Sequence, residues 1–375
     1  MRITGVRTVT CEIALPRPIV MGELRFDARE YIVVVLETDE GIAGVGFGMT
    51  RGAPVGAIVE RNLAPLLIGM DPFLTEAIGT RLTDRNLTIA GRGIFARALS
   101  AVDIALWDIK GQAVGQPIWR LLGGARDRIP VAIAGGYADA ATSLDDLASE
   151  VAGYAQRGFG LIKIAADTLP NDTARIAVSI AALEGRSALA FDAHWAWRRS
   201  YDVLPTVRGW SQYGLAFIED PFAPELTALA TELRDATGIP IALGEEAVGR
   251  WAFESLLTDR RPDVLRLDAT SMGGLSEAVK VCALASVHAR PVFPHVFPEI
   301  HVHLAAAFSE VMAVELTLPE ANIETLHRLF LDWVVIEDGQ IVAPSRPGLG
   351  LELDEGAVAR YAVAATRITE GATAN

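Results

Sequence analysis

The chain has 375 residues, 51% of them hydrophobic and 21% charged, which is enough for two domains or for one barrel with an elaborate addition. A formal net charge of −14 without a block of lysines or arginines argues against nucleic acid and anionic membranes as partners; a small anion needs a metal or a few cations to reverse the field locally. Two distant cysteines, Cys11 and Cys282, exclude a disulfide framework and fit buried thiols in a reducing, cytoplasmic setting.

The first 16 residues alternate like a strand and contain no signal-peptide apolar stretch. Apolar runs such as Tyr31 to Leu36 are broken by charge within a few residues, so no membrane span is expected. Strand-like segments at Ile3–Ala14, Glu30–Thr38 and Ala43–Gly48 precede helical ones around Val55–Leu67 and Phe95–Val114. Strands followed by helices suggest a separate N-terminal α+β domain over residues 1–125.

From about residue 126 a regular beat begins. Short β-rich segments recur at Val131–Gly135, Leu161–Ala165, Ala188–Asp192, Leu215–Glu219, Pro240–Gly244, Asp263–Asp268, Pro291–His295 and Val311–Leu316. Helical stretches lie between most of them, such as Ser143–Gly158 with Leu144, Leu147, Val151 and Tyr154 on one face, and Leu275–His288. Strand starts are roughly 20 to 30 residues apart, the length of one βα unit. Eight such strands over residues 126–335 predict a (β/α) TIM-type barrel rather than an open sheet, because no glycine-rich phosphate loop follows an early strand. The segment 336–375 has glycine and proline punctuation unlike that beat and is expected to return to the N-terminal domain.

In such a barrel the residues ending each strand line one mouth. Here the third, fourth and fifth strands end at Asp192, Glu219 and Glu245. Three carboxylates on neighbouring strands would raise one another's pKa unless a cation joins them. An all-oxygen set suits Mg²⁺, with Mn²⁺ as a substitute. Asp268 and His295 end the next two strands, and a carboxylate on one imidazole nitrogen makes the other a better base. Lys163 points into the barrel with Leu161 and Ala165, and Glu315 sits similarly in the last strand. Two roles fit them: contact with a substrate carboxylate, or an ion pair with each other. His194, two residues past Asp192, is a candidate general acid at the same mouth. Glu246, Glu299 and His303 read as supporting or helix-starting groups, and His288 and His327 as structural.

With these residues in view, the chain resembles the mandelate racemase-like branch of the enolase superfamily. In the first domain the resemblance lies in Ala98-Leu99-Ser100-Ala101-Val102-Asp103-Ile104-Ala105-Leu106-Trp107-Asp108-Ile109-Lys110-Gly111 and in Pro117 to Gly124. In the barrel, Phe191-Asp192, Ile218-Glu219-Asp220-Pro221 and Gly244-Glu245-Glu246 are similar to the family's three metal-ligand motifs. Leu267-Asp268 with Gly273-Gly274, and His295-Val296-Phe297-Pro298-Glu299-Ile300, are similar to its Asp–His pair. The resemblance implies a cap over a (β/α)₇β barrel and an enolate intermediate held on Mg²⁺. One departure bears on activity. Many members carry Lys-x-Lys on the second strand, the second lysine being a base on the substrate face opposite the histidine. Here the motif is Lys163-Ile164-Ala165. The resemblance therefore points first to an acid-sugar dehydratase, with His295 as base and His194 or His295 protonating the leaving hydroxyl. A racemase or epimerase using His295 and Lys163 is the second reading, and a non-catalytic metal-dependent binder the third. A small carboxylate is the expected ligand and a homo-oligomer the expected assembly.

Overall fold

The computed structural model describes residues 1–21, 24–91, 93–137 and 142–369. Three long strands open the chain: β1 (Ile3–Met21), β2 (Leu24–Thr38) and β3 (Ala43–Met49). They form an antiparallel sheet in the order β13-β1-β2-β3, the last strand, β13 (Ala362–Thr369), arriving from the far end of the chain. The sheet packs on the 20-residue helix Ile94–Ala113. Glycine alternates along β3 in Ala43-Gly44-Val45-Gly46-Phe47-Gly48, and that is what lets sheet and helix meet backbone to backbone. A Cβ on Gly46 would stand 1.8 Å from the Ala101 carbonyl oxygen.

The barrel strands are β4 (Arg128–Gly135), β5 (Leu161–Ala165), β6 (Ala188–Asp192), β7 (Ile218–Glu219), β8 (Ile241–Leu243), β9 (Val264–Leu265) and β10 (Val314–Leu316). Neighbours β4 to β9 pair in parallel, and β10 pairs with β4. The ring closes between β9 and β10 through bridges from Leu265 to Val292 and from Val292 to Val311. The expected seventh strand, Pro291–His295, is reduced to that bridge residue because Pro291 and Pro294 have no N–H to give a ladder. The hairpin β11 (Val335–Glu337) and β12 (Gln340–Val342) adds antiparallel to the start of β4 before the chain returns to the cap.

Alternation sorts the barrel interior into layers. Ala132, Leu161, Ala190, Phe217, Ala242, Val264, Phe293 and Ala313 form one apolar cluster, a residue from each of eight segments. Two residues further along each segment stand Ala134, Lys163, Asp192, Glu219, Gly244, Arg266, His295 and Glu315. The second layer is therefore ionic and lies directly on an apolar plug.

Outside the barrel, the helix Leu144–Gln156 begins at a capping box between Ser143 and Asp146 and buries Leu147, Val151 and Tyr154. Leu144 of the expected face is exposed, since it precedes the first full turn. Cap and barrel are held by ionic contacts that reach the mouth. Arg29 pairs with Glu324 at 2.8 Å, and Arg97 with Glu246 at 2.8 Å. Among the described residues no helix is long and apolar enough to cross a membrane.

Candidate active site

The ionic layer is densely cross-linked. Lys163 Nζ lies 2.8 Å from Asp192, 2.9 Å from Glu219 and 2.6 Å from Glu315. Its three N–H donors therefore all face carboxylates. Burial works against the ammonium charge, but the three acids outweigh it and hold the Lys163 pKa well above the usual lysine value.

Arg266 completes the layer, and the sequence reading did not single it out. It is fully buried, stacks 4.3 Å above the Phe293 ring, and donates to the Phe293 and Pro294 carbonyls and to Glu315. Its guanidinium also lies 2.9 Å from Glu219. The alternation that marks Lys163 as inward marks Arg266 too, through Val264, Arg266 and Asp268.

Asp192 and Glu219 face each other across the β6–β7 pairing. Glu219, Asp220 and Glu245 bring one carboxylate oxygen each within 4.8 Å of one another, whereas Asp192 is engaged by Lys163 and by the His194 backbone N–H and ring. Of the expected metal set, then, Glu219 and Glu245 converge with Asp220, and Asp192 stands beside them on the same lysine. Glu219 Oε2 and Asp220 Oδ2 are buried without a hydrogen-bond partner. Burial, then the neighbouring acids, push both Asp220 and Glu245 well above the ordinary carboxylate range. Six buried carboxylates (Asp192, Glu219, Asp220, Glu245, Asp268, Glu315) face two fixed cations. Orphaned oxygens and surplus negative charge fit a hard divalent cation.

The Asp268–His295 pair is present. His295 Nδ1 lies 3.1 Å from Asp268 Oδ2, while Nε2 faces the acidic cluster, 3.7 Å from Glu245. Burial alone would raise the Asp268 pKa; the hydrogen bond and charge of His295 lower it to about 2, so it stays an acceptor at neutral pH. His194 Nδ1 is 3.1 Å from Asp192, its ring stacks on Tyr137, and its Nε2 is buried without a protein partner. Burial lowers its pKa despite Asp192.

His194, Trp195, Asp220, Val296 and Phe297 all have positive φ, an unusual conformation for residues with side chains and most strained at β-branched Val296. They stand one to three residues past Asp192, Glu219 and His295, so the strain is concentrated where the site turns out of the barrel. Of the supporting groups, Glu246 anchors the cap through Arg97. Glu299 accepts from Trp333, and burial raises it to about 7. His303 is buried between Trp119 N–H and the Leu349 carbonyl. Arg25 is exposed and paired with Asp27.

Fold and site together define a capped barrel with an acid cluster opposite an Asp–His pair. Family models agree along the chain: residues 3–123 match the mandelate racemase / muconate lactonizing enzyme N-terminal domain, and residues 146–357 the enolase C-terminal domain-like family. The chain belongs to the mandelate racemase/muconate lactonizing enzyme family of the enolase superfamily. It is 30% identical to the arabinonate dehydratase of Saccharolobus solfataricus, over 88% of this chain and 90% of that one. It is 31% identical to the D-galactarolactone cycloisomerase of Agrobacterium fabrum, over 96% and 99%. Among solved structures it is similar to L-talarate dehydratase from Polaromonas sp. JS666, complexed with Mg and L-glucarate, with a TM-score of 0.88, 28% identity and 98% and 99% coverage.

Proposed function

We propose that this protein is a Mg²⁺-dependent acid-sugar dehydratase, which removes the proton α to a carboxylate and gives a 2-keto-3-deoxy acid. Glu219, Glu245 and Asp192 would hold the ion, with Asp220 beside them. When bound, the ion supplies a Lewis acid that offsets charge growing on the substrate carboxylate.

The chain's own residues do the rest. His295 Nε2 takes the proton from carbon 2, and Asp268 fixes the tautomer and stabilises the imidazolium. The bond from carbon 3 to its hydroxyl then breaks, with the proton for the departing water coming from His295 or His194. Tautomerisation of the enol completes the loss of one water. Lys163 and Arg266 hold Glu219 and Glu315 in place, and their charges outweigh burial to keep Glu315 ionised. Contact of Lys163 and Glu315 with the substrate carboxylate remains part of the proposal.

One observation carries the choice of dehydration: the second barrel strand offers no free base to set against His295. His295 is free to accept at Nε2, whereas Lys163 is held charged by three carboxylates and Ala165 has no proton acceptor. A racemase or epimerase needs a second base, which Lys163 or His194 would have to supply. The capping domain (1–125), barrel (126–335) and returning segment (336–375), the cytoplasmic setting and a homo-oligomer belong to the same proposal.

A screen of acid sugars with Mg²⁺ for 2-keto product tests this reading. His295→Asn should bind substrate normally while kcat falls at least about 10²-fold, the lower range for loss of a general base. Near wild-type turnover in that variant on a true substrate would mean the proton acceptor is another group.

A further inference from the structure

We propose that Thr270 is a positioning residue for the Asp268–His295 pair, and that the capping domain holds the pair in register through it. The proposal rests on the reading of His295 as the base. Asp268 Oδ2 faces His295, and a carboxylate can rotate unless its other oxygen is held. Thr270 holds it: its backbone N–H and its hydroxyl both donate to Asp268 Oδ1, each at 2.7 Å. Among the described residues no other group donates to that oxygen. His301 Nε2 lies 3.9 Å away, but it accepts the Ala269 N–H, and its ring proton is on Nδ1, 2.5 Å from the Val296 carbonyl. It has no proton to offer Asp268.

Thr270 is itself fixed from the cap side. It is fully buried against β3, where a Cβ on Gly48 would stand 3.1 Å from Thr270 Cβ and 3.2 Å from its carbonyl oxygen. The rest of its loop is tied to the long cap helix. Ser100 Oγ accepts from Gly273 N–H at 2.8 Å, and Asp103 accepts from Ser276 N–H at 2.8 Å and from its hydroxyl at 2.6 Å. A continuous chain of contacts thus runs from Gly48 to Thr270, Asp268 and His295. The glycine at position 48 is the feature that allows the cap backbone to lie flush on the threonine.

The test compares Thr270→Val, Thr270→Ser and Gly48→Ala in the full-length Mg²⁺-loaded protein. Two readouts are taken: kcat and KM on an acid sugar turned over by the wild type, and the ring tautomer of His295 by ¹⁵N NMR, assigned with His295→Asn. Thr270→Val should lower kcat about 10–100-fold, the range known for groups that orient metal-ligating side chains from the outer shell, with little change in KM. It should also move part of the His295 population away from the Nδ1–H form. Thr270→Ser keeps the donor and should restore both readouts. Gly48→Ala crowds Thr270 and should shift both in the direction of valine. Wild-type kcat and ring signals in Thr270→Val would overturn the proposal, as would a serine variant as impaired as valine, since packing would then explain the loss. Wild-type behaviour of Gly48→Ala would overturn the cap's share. If valine does not fold, serine and Gly48→Ala still decide. The NMR readout needs no turnover: an ordered Nδ1–H tautomer in the wild type alongside a fully active His295→Asn would defeat the base assignment and leave the positioning role standing.

Discussion

Replacing Arg266 by methionine keeps the length and apolar contact of the side chain and removes its charge. Wild-type Arg266 faces Glu219 at 2.9 Å and Glu315 from a fully buried position. Without it, six buried carboxylates share one fixed cation, Lys163. Removing one partner of a buried ion network costs about 3–5 kcal/mol, because an uncompensated charge stays behind. Lost donors to the Phe293 and Pro294 carbonyls add to this, at about 1 kcal/mol each. The cluster can relieve part of the cost by taking up a proton. Denaturant unfolding monitored by circular dichroism in chelator should therefore show a loss of several kcal/mol at pH 8 that shrinks as pH is lowered. Saturating Mg²⁺ should stabilise Arg266→Met by more than it stabilises the wild type, since the divalent cation replaces the missing charge. A loss within about 0.5 kcal/mol, typical of surface substitutions, would refute the view that Arg266 balances the acids.

Glu219→Gln removes a charge from the acid cluster with little change of shape; it should abolish turnover and weaken Mg²⁺ binding in calorimetry while the circular dichroism spectrum stays native. Full wild-type activity in chelator would contradict the metal assignment. His303 supplies a pH prediction. Burial lowers its pKa from 6.5 to about 4, so the unfolded chain binds its proton first as pH falls. Its share of stability is intact above pH 6.5 and is lost progressively down to about pH 4, to a total of about 3 kcal/mol. His303→Gln should flatten the stability–pH slope by about one proton in that window, and an unchanged slope would mean the ring is not held neutral. Lys163→Ala should weaken substrate binding and metal-site stability more than it changes which substrate hydrogen exchanges with solvent.

Most of the fold was legible because the barrel repeats one physical pattern. Apolar alternation marks each strand, and a polar residue at its end marks the mouth; that is how Asp192, Glu219, Glu245 and His295 stand out, while Glu315 is marked as a charge inside the last apolar strand. Lys163 stands out by interrupting an apolar strand. Arg266 does so too, yet Asp268 at the strand's end drew the attention. Asp220 is visible in the sequence only as part of a motif, since sequence does not reveal that its backbone turns at positive φ and brings the carboxyl to Glu219 and Glu245. Strand limits were the least legible part. Pro240, Pro291 and Pro294 each remove a ladder donor, so the later strands are shorter than their apolar runs. The cap's hold on the loop from Asp268 to Ser276 depends on long-range contacts such as Gly48 on Thr270, which no local pattern announces.

The central claim is one-sided proton abstraction followed by loss of hydroxyl, and turnover in D₂O tests it most directly. A true substrate should give 2-keto-3-deoxy product carrying deuterium at carbon 3, with its carbon-2 epimer neither formed nor consumed. Deuterium entering carbon 2 of both epimers without loss of hydroxyl, and ceasing in Lys163→Ala, would contradict the account and assign a racemase.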